Sequence, residues 1–218
     1  MRDTKPPKIN LEGVHFVLDC DGVLLNWAGG FASWLGVMKG LPVDTKGPCS
    51  YDMVTWTGAK DHAQVMDWVN EFNESSWFGS LWPCFNAIWA VNEMKKGRAR
   101  ISVVTSCGDK PKTHGMRRRN LRAVFGDVFD SIICLSLGGK KASALAEIQA
   151  IRPDERCVWV EDHFHNATIG WKLGFETYMI HHPHNRDQVD SHPREIRWEH
   201  SLMGVISHVL DVTESVKV

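Results

Sequence analysis

The stretch that decides the fold is Phe16-Val17-Leu18-Asp19-Cys20-Asp21-Gly22-Val23-Leu24-Leu25, near the start of the chain. Its apolar beginning predicts a strand over residues 14–19 that is buried on both faces, as strands of parallel sheets are. Residues two apart in an extended segment point the same way, so Asp19 and Asp21 can share one side of the chain. The stretch therefore predicts a buried strand with two acids at its carboxyl end.

Four further apolar runs resemble the first strand in composition. They predict strands at residues 101–105, 131–135, 157–161 and 177–180. Helical patterns separate these runs, over about 113–125, from about 141, and over about 164–173. This alternation predicts an α/β fold, a Rossmann-like parallel sheet with helices on both faces.

The interval between the first two strands is about 80 residues, far longer than a simple crossover connection requires. Residues 36–58 of it are rich in Gly, Pro and Thr and predict a loop. Two helical stripes lie further along the interval. The first consists of Val65, Met66, Val69 and Phe72, and the second of Phe85, Ile88 and Trp89, with Val91 and Met94 as further members. We therefore predict a core domain of residues 1–26 and 83–218 and an inserted helical cap of residues 27–82.

The composition limits the possible partners. Lys and Arg number 25 and Asp and Glu 26, so the net charge of −1 predicts neither stable nucleic-acid binding nor membrane binding. The polar N-terminus and the lack of an apolar run of about 18 residues give no signal peptide or membrane span. Six cysteines without a C-x-x-C pair are typical of reduced thiols in the cytoplasm. The oligomeric state is left open.

Polar residues also follow the other predicted strands. The second strand is followed by Thr105 and Ser106, the fourth ends at Glu161 and Asp162, and the helix after the third begins with Lys140-Lys141. Ligands of open parallel sheets bind beyond these strand ends, so we expect the side chains to meet there.

Several carboxylates that converge on one point repel one another, and a bound cation removes the repulsion. An all-oxygen ligand set favours Mg²⁺ over Zn²⁺. A threonine and a lysine beside the cation supply donors for an anion with several oxygens, which is the composition of a phosphoryl-transfer site. Each piece alone has an ordinary explanation as a turn, a helix cap or a solvated helix start, and it is their combination, in order, that indicates function.

In these motifs the chain resembles the haloacid dehalogenase superfamily of phosphatases. The first motif is the opening stretch, and the other three are similar to Val103-Val104-Thr105-Ser106, to Lys141, and to Val158-Trp159-Val160-Glu161-Asp162 with Asn166 beyond it. Lys140 is the competing choice for the third motif. The resemblance covers about residues 15–180 and implies the same fold with a helical cap over the substrate.

The resemblance also implies a role for each residue. Asp19 would be the nucleophile and Asp21 the general acid and base, while Thr105, Ser106 and Lys141 would bind the phosphoryl oxygens of a small phosphorylated substrate. The Mg²⁺ ligands would come from Asp19, the backbone carbonyl of Asp21, and Asp162, with Glu161 close by. Dehalogenase members lack an acid at the position of Asp21, so its presence favours phosphate chemistry.

A narrower resemblance concerns the C-terminal part. The segments His182-Pro183-His184-Asn185-Arg186 and Arg197-Trp198-Glu199 are similar to the 5′(3′)-deoxyribonucleotidase branch, in which an Arg…Trp pair begins the final helix. This resemblance implies a nucleoside monophosphate, in its deoxy form, as substrate. Tryptophans of the cap could stack on a base, or could form a plain cap core.

Three alternatives remain at this stage. The enzyme could act on another small phosphorylated metabolite, could transfer the phosphoryl group between two substrates as mutases do, or the chain could bind a phosphorylated ligand without catalysis.

The histidines and one basic run have ordinary interpretations. We interpret His163, His165 and the histidines at 181, 182 and 184 as solvated loop residues, with a second metal site as the alternative. The run Arg117-Arg118-Arg119 predicts an exposed helix face.

Overall fold

The computed structural model describes residues 9–189 and 193–215, with residues 211–215 described by their backbone alone. Within these residues, six parallel strands form one sheet in the order β3-β2-β1-β4-β5-β6. The strands are β1 (Val14–Leu18), β2 (Arg100–Ser106), β3 (Ser131–Leu135), β4 (Arg156–Glu161), β5 (Glu176–Ile180) and β6 (Arg197–Glu199). The predicted α/β sheet is confirmed.

Strand β1 lies in the middle of the sheet because both of its faces are apolar. Phe16, Val17 and Leu18 are completely buried, and β1 pairs with β2 on one side and with β4 on the other. The strand order reverses at this point, which places a crevice beyond the carboxyl ends of β1 and β4. The residues that follow β1 therefore enter the position where such folds bind ligands.

The sixth strand was not predicted. Three residues are too few to show a pattern, and Arg197–Glu199 becomes a strand only by pairing with β5, where Tyr178 is opposite Arg197. The expectation that Arg197 and Trp198 begin the final helix is therefore wrong, since that helix begins at Leu202.

Eight α-helices occur in the described part of the chain. They are α1 (Trp27–Lys39), α2 (Met53–Thr57), α3 (His62–Asn73), α4 (Ala87–Lys96), α5 (Pro111–Phe125), α6 (Lys141–Ile151), α7 (Phe164–Lys172) and α8 (Leu202–Ser215), and 3-10 helices cover Phe78–Ser80 and Pro183–Gln188. Helices α4, α5 and α8 share one core cluster with Phe16, while α6 packs with Val17 and Trp159 on the opposite face. Helices on both faces are thus confirmed.

The stripe predicted for α4 is wrong in part. Phe85, Ile88 and Trp89 are exposed, whereas the buried residues of this helix are Ala87, Ala90, Val91 and Met94. Both sets have helical spacing, and the large aromatic residues concealed the weaker signal of the two alanines.

The segment between β1 and α4 is helical, as predicted, and aromatic side chains fill its interior. Phe31 stacks on Trp34 with ring centroids 6.0 Å apart, and both rings contact Phe72. The loop predicted at residues 36–58 contains the end of α1 and all of α2. The division into a cap and a core domain stays a prediction, and residues 1–8, 190–192 and 216–218 of the predicted core lie outside the described residues.

Helix α7 approaches the sheet closely at Gly170. A Cβ atom added there would lie 2.2 Å from Cδ1 of Trp159, a completely buried side chain in β4. The indole of Trp159 also donates a hydrogen bond to the carbonyl of Asn166 at 3.1 Å, so the ring has little freedom to move. Only glycine allows this spacing between α7 and β4.

We predict that Gly170→Ala lowers the free energy of unfolding by about 1–3 kcal/mol, because the added methyl group overpacks a closed core. Urea denaturation measures the change. Gly115→Ala is the matched control, since its Cβ would have only Arg119 Nη1 at 3.5 Å as its nearest neighbour. This control should stabilise α5 by about 0.5–1 kcal/mol through helix propensity, and equal effects in both variants would contradict the prediction.

Candidate active site

The loop after β1 folds back on itself at the carboxyl edge of the sheet. The amide of Asp19 donates to the carbonyl of Val160 at 2.9 Å, which ties the end of β1 to β4. The amides of Leu24 and Leu25 both donate to the carbonyl of Cys20 at 2.8 Å. These bonds hold Asp19 and Asp21 in a tight turn next to the end of β4.

Gly22 in this turn is required for two reasons. Its φ of +78° lies in the left-handed region, which L side chains rarely adopt. In addition, a Cβ atom at this position would lie 2.2 Å from Oδ2 of Asp162. We call the turn of residues 19–25 the first-motif turn. The absence of a side chain at Gly22 lets this turn and Asp162 come together.

Lys141 connects two of the acids. It is the first residue of α6, and its Nζ lies 2.6 Å from Oδ1 of Asp19 and 2.5 Å from Oε1 of Glu161. All three side chains are buried. The competing residue Lys140 is exposed, so it is Lys141 that contacts Asp19, the predicted nucleophile.

Glu161 uses both of its carboxylate oxygens within the protein. Oε1 accepts from Lys141, and Oε2 accepts from the amides of Asp162 and His163 at 2.9 and 2.8 Å. The residue is completely buried. Glu161 therefore orients the lysine and the chain that follows β4.

Three acids form a cluster in which a cation fits. Oxygens of Asp19, Glu161 and Asp162 lie within 4.8 Å of one another, a ligand set made only of oxygen. Among the described residues, Lys141 forms ion pairs with both Asp19 and Glu161, so one ammonium faces two carboxylates, and Asp162 adds a third acid to the cluster. The donor set and the excess of negative charge both suit Mg²⁺.

The electrostatics of these acids reflect their crowding. Burial raises the pKa of Asp19 to about 7, Glu161 and Asp162 act in the same direction, and Lys141 opposes them. Burial also raises the pKa of Glu161. For Asp162 burial acts in the same direction, but His184 outweighs it and holds the pKa of this carboxyl below its ordinary value. A cation next to Asp19 would favour its charged form.

Asp21 forms an ion pair with Arg117, which lies on α5. The arginine Nη2 is 2.7 Å from Oδ2 of Asp21, and the arginine is completely buried. The prediction that Arg117 lies on an exposed helix face is wrong, because a run of basic residues does not show which arginine faces the core. Arg119, two residues later, is exposed as predicted. Burial raises the pKa of Asp21 to about 7, although Arg117 acts in the opposite direction.

Thr105 and Ser106, at the end of β2, differ in their surroundings. Ser106 lines the same pocket as Asp19 and Lys141. Thr105 is completely buried, and its Oγ1 has no hydrogen-bond partner among the described residues. Ser106 is therefore open to a ligand, whereas Thr105 is buried and lines neither pocket. The roles of both residues in binding phosphoryl oxygens stay predictions.

The prediction that the histidines after β5 are solvated loop residues is wrong for two of them. His182 and His184 are half-buried, and Nε2 of His182 donates to the carbonyl of Gly22 at 2.7 Å. His184 lies 3.4 Å from Oδ2 of Asp162. The sequence showed the cluster but not its contacts, because the fold brings β5 next to β4.

Tyr51 was missed by the sequence analysis. This residue precedes α2, and its hydroxyl donates to the carbonyl of Asp162 at 3.2 Å. Its ring contacts the rings of His163 and His184, with centroids 4.6 and 5.0 Å apart. Tyr51 thus joins the inserted segment to the end of β4, a contact over 111 positions that no local pattern indicates.

Two neighbouring pockets open at this edge of the sheet. The acidic pocket, of about 550 Å³, is lined by Asp19, Asp21, Ser106, Lys141, Asp162 and neighbours that include Lys140 and Asn166. The aromatic pocket, of about 410 Å³, is lined by residues that include Trp27, Tyr51, Trp82, Phe85, His182 and His184. Asp21 and Asp162 line both pockets, so a ligand that contacts these two acids can extend into either pocket.

The tail residues of the narrower resemblance bind the protein itself. Asn185 is completely buried and donates to the carbonyls of Asp162 and Ile180 at 2.9 and 2.8 Å. Arg197 pairs with Glu176 at 2.9 Å. These residues hold the last strands and the end of β4 in place.

The tryptophans of the inserted segment divide into two groups. Trp34 is fully buried in the aromatic interior, while Trp56 and Trp77 are partly buried. The tryptophans that line the aromatic pocket are Trp27 and Trp82. Trp82 is 47% exposed, so of the two indoles that line the aromatic pocket it is the more available to a ligand.

No family model and no curated protein matches the sequence. Solved structures match it across nearly the whole chain. A HAD family hydrolase from Deinococcus radiodurans R1, with bound phosphate and sodium, is 15% identical with a TM-score of 0.63, over 95% of this chain and 98% of that one. The D,D-heptose 1,7-bisphosphate phosphatase from B. bronchiseptica, complexed with magnesium and phosphate, is 13% identical with a TM-score of 0.58, over 91% and 99%.

An L-2-haloacid dehalogenase from Xanthobacter autotrophicus also matches, at 12% identity and a TM-score of 0.54, over 89% of this chain and 97% of that one. These neighbours confirm the predicted fold. The chain has the fold that HAD-type phosphatases, hydrolases and dehalogenases share, and the choice among their reactions depends on the site residues.

We predict that Gly22→Ala removes the hydrolysis of p-nitrophenyl phosphate, the activity that the resemblance implies. The new methyl group would occupy the position of the Asp162 carboxylate and displace it from the acid cluster. The measurement is turnover of this substrate, together with the free energy of unfolding in urea.

Gly13→Ala is the matched control. Its φ of +83° carries the same backbone cost, about 1–2 kcal/mol, but its Cβ would have no neighbour within 4 Å. This variant should lose stability and keep its activity, and an active Gly22→Ala protein would disprove the close approach to Asp162.

Proposed function

We propose that the chain is a Mg²⁺-dependent phosphomonoester hydrolase that works through an aspartyl-phosphate on Asp19. The observation that carries the proposal is the contact of Lys141 with both Asp19 and Glu161, beside Asp162 at the strand ends. A buried lysine on a buried carboxylate suits a site where a phosphoryl group arrives, because the ammonium can stabilise both the carboxylate and the phosphoryl oxygens. The fold shared with phosphatases supports this assignment.

In the first step a carboxylate oxygen of Asp19 attacks phosphorus. A bond from Asp19 to phosphorus forms, and the bond from phosphorus to the ester oxygen breaks. Asp21 donates its proton to the departing oxygen, and burial, which raises the pKa of this carboxyl to about 7, suits that role. Lys141, with Thr105 or Ser106, binds the phosphoryl oxygens.

The second step reverses the role of Asp21. Its carboxylate removes a proton from water, which attacks phosphorus and releases phosphate from Asp19. Asp19 is then a free carboxylate again, and Asp21 is again protonated. Tyr51 and His184 pack against each other beside Asp162, and we assign to them the exclusion of stray water from the intermediate.

Asp19 and Asp162 are the side chains that we assign to the Mg²⁺, together with the backbone carbonyl of Asp21. Glu161 lies in the same cluster, but its two oxygens already accept hydrogen bonds from Lys141 and two amides. When bound, the ion would neutralise the phosphoryl oxygens and the acid cluster.

For the substrate we propose a small phosphomonoester with a planar group, and a deoxynucleoside monophosphate as its best candidate. The support is the aromatic pocket, in which Trp82 and Phe85 are exposed next to Asp21 and Asp162. Asn185 and Arg197 no longer contribute to this argument, since they bind the protein. A nonplanar phosphorylated metabolite is the alternative that a substrate screen separates.

The cytoplasm remains our proposed location. All six cysteines are free and none forms a disulfide, which suits a reducing compartment. In the described part of the chain, no helix combines the length and the apolar character that a membrane crossing needs.

We predict that the wild-type protein, incubated with labelled phosphomonoester and Mg²⁺ and quenched in acid, carries a hydroxylamine-sensitive phosphoryl label. Asp19→Asn should carry none and show no turnover, because an amide does not attack phosphorus. EDTA should remove both label and turnover, and added Mg²⁺ should restore them.

Asp44→Asn serves as the control for this experiment, since Asp44 lies on the surface and lines neither pocket. It should be labelled like the wild type. A label that persists in Asp19→Asn would place the nucleophile elsewhere, and turnover in metal-free buffer would contradict the cation.

We predict that Trp82→Ala lowers kcat/KM for deoxynucleoside monophosphates by about tenfold, since stacking on a base contributes about 1–3 kcal/mol. Acetyl phosphate, which has no ring, should react nearly as in the wild type. Trp89→Ala is the control, because Trp89 is 59% exposed and does not line the aromatic pocket. If Trp82→Ala affects both substrates equally, the ring does not bind the leaving group.

A further inference from the structure

Arg117 is buried in a way that its role in packing does not explain. The side chain is completely buried, and its guanidinium lies over the ring of Phe78, 4.1 Å from the centroid. Its Nη2 donates to Asp21, but Nε and Nη1 have no hydrogen-bond partner among the described residues.

Such an arrangement is costly for stability. A buried guanidinium with unused donors loses its hydration without full compensation. Buried ion pairs are often no more stabilising than apolar residues of similar size, so the pair with Asp21 gives little reason to retain an arginine for the fold alone. The cost points to a role at Asp21 itself.

The contact treats the two oxygens of Asp21 differently. Nη2 lies 2.7 Å from each oxygen, but only Oδ2 accepts a hydrogen bond from it. Oδ1 is buried and has no hydrogen-bond partner. The Asp21 side chain is 26% exposed although Oδ1 is buried, so a ligand in the two pockets that Asp21 lines reaches the carboxyl away from Oδ1. Arg117 thus fixes which part of the carboxyl faces the ligand.

We propose that Arg117 is a positioning residue that holds the Asp21 carboxyl in the orientation in which it meets the leaving oxygen of the substrate. The inference rests on the proposed phosphatase function. As the bond from phosphorus to oxygen breaks, the proton passes from the Asp21 carboxyl to the departing oxygen, while Arg117 keeps all its protons and holds the carboxyl in place. The ring of Phe78 packs against the guanidinium and supports it.

A positioning role for Arg117 predicts an effect on substrate preference that a purely structural role does not. A substrate whose leaving oxygen is stable as an anion needs little help from Asp21, whereas an alcohol must receive a proton as it leaves. Loss of Arg117 should therefore harm the two kinds of substrate unequally. Loss of stability alone would reduce the amount of folded enzyme and affect both equally.

The experiment compares p-nitrophenyl phosphate with benzyl phosphate, which has a ring of similar size but releases an alcohol. In Arg117→Met, kcat/KM for benzyl phosphate should fall about 10–100-fold further than for p-nitrophenyl phosphate. Arg117→Lys, which keeps the charge and one donor, should recover part of the difference. Circular dichroism and thermal melting show whether each variant is folded.

Two further variants make the result decisive. Arg119→Met is the matched control on the exposed part of α5 and should leave the ratio of the two substrates unchanged. In an Asp21→Asn background, Arg117→Met should not alter the ratio further, because the group it positions is gone. If the Arg117 variants do not fold, Phe78→Leu, which removes the aromatic face under the guanidinium, should change the ratio in the same direction.

The possible outcomes separate the two proposals. An inactive wild-type protein would contradict the phosphatase function. If the wild type is active but its folded Arg117 variants keep the wild-type substrate ratio, the role of Arg117 is overturned and the phosphatase function stands. The same holds for Phe78→Leu where the Arg117 variants do not fold. A change in the ratio that persists in the Asp21→Asn background would show that Arg117 acts on the substrate without Asp21.

Discussion

The arrangement of this protein depends on one constraint, the burial of several acids at the ends of β1 and β4. Lys141 offsets part of their negative charge, because its ammonium contacts Asp19 and Glu161 together. Burial makes each of these contacts stronger than it would be in water. The lysine comes from the first turn of α6, so the position of that helix on the sheet and the charge balance of the site are linked.

The same constraint explains why the surrounding loops are so closely connected. Asp162 approaches the first-motif turn at a glycine, and its backbone carbonyl accepts hydrogen bonds from Tyr51 and Asn185. His184 adds a favourable charge interaction on its carboxylate. The inserted segment and the end of β5 therefore converge on one acid, and any movement of the inserted segment would alter the environment of Asp162.

The main elements of the fold could be predicted because they carry strong local signals. Strands such as β1 and β4 are continuous apolar runs that are buried on both faces, and the helices between them have clear periodicity. Strand β6 has three residues and exists only through its pairing with β5. On α4, alanines form the buried stripe, and their hydrophobicity is too weak to outweigh the nearby exposed aromatic residues.

The sequence by itself determined the parallel sheet, the acids at its carboxyl edge and the pair of lysines at the start of the helix after β3, because strand ends and motif order are local properties of the chain. Only the tertiary structure decided that Lys141 rather than Lys140 reaches Asp19, that Arg117 turns inward to Asp21, and that Tyr51 and His184 meet at Asp162. Each of these contacts joins residues far apart in the chain. Side-chain direction at such a distance depends on how the helices pack on the sheet, which no short sequence pattern records.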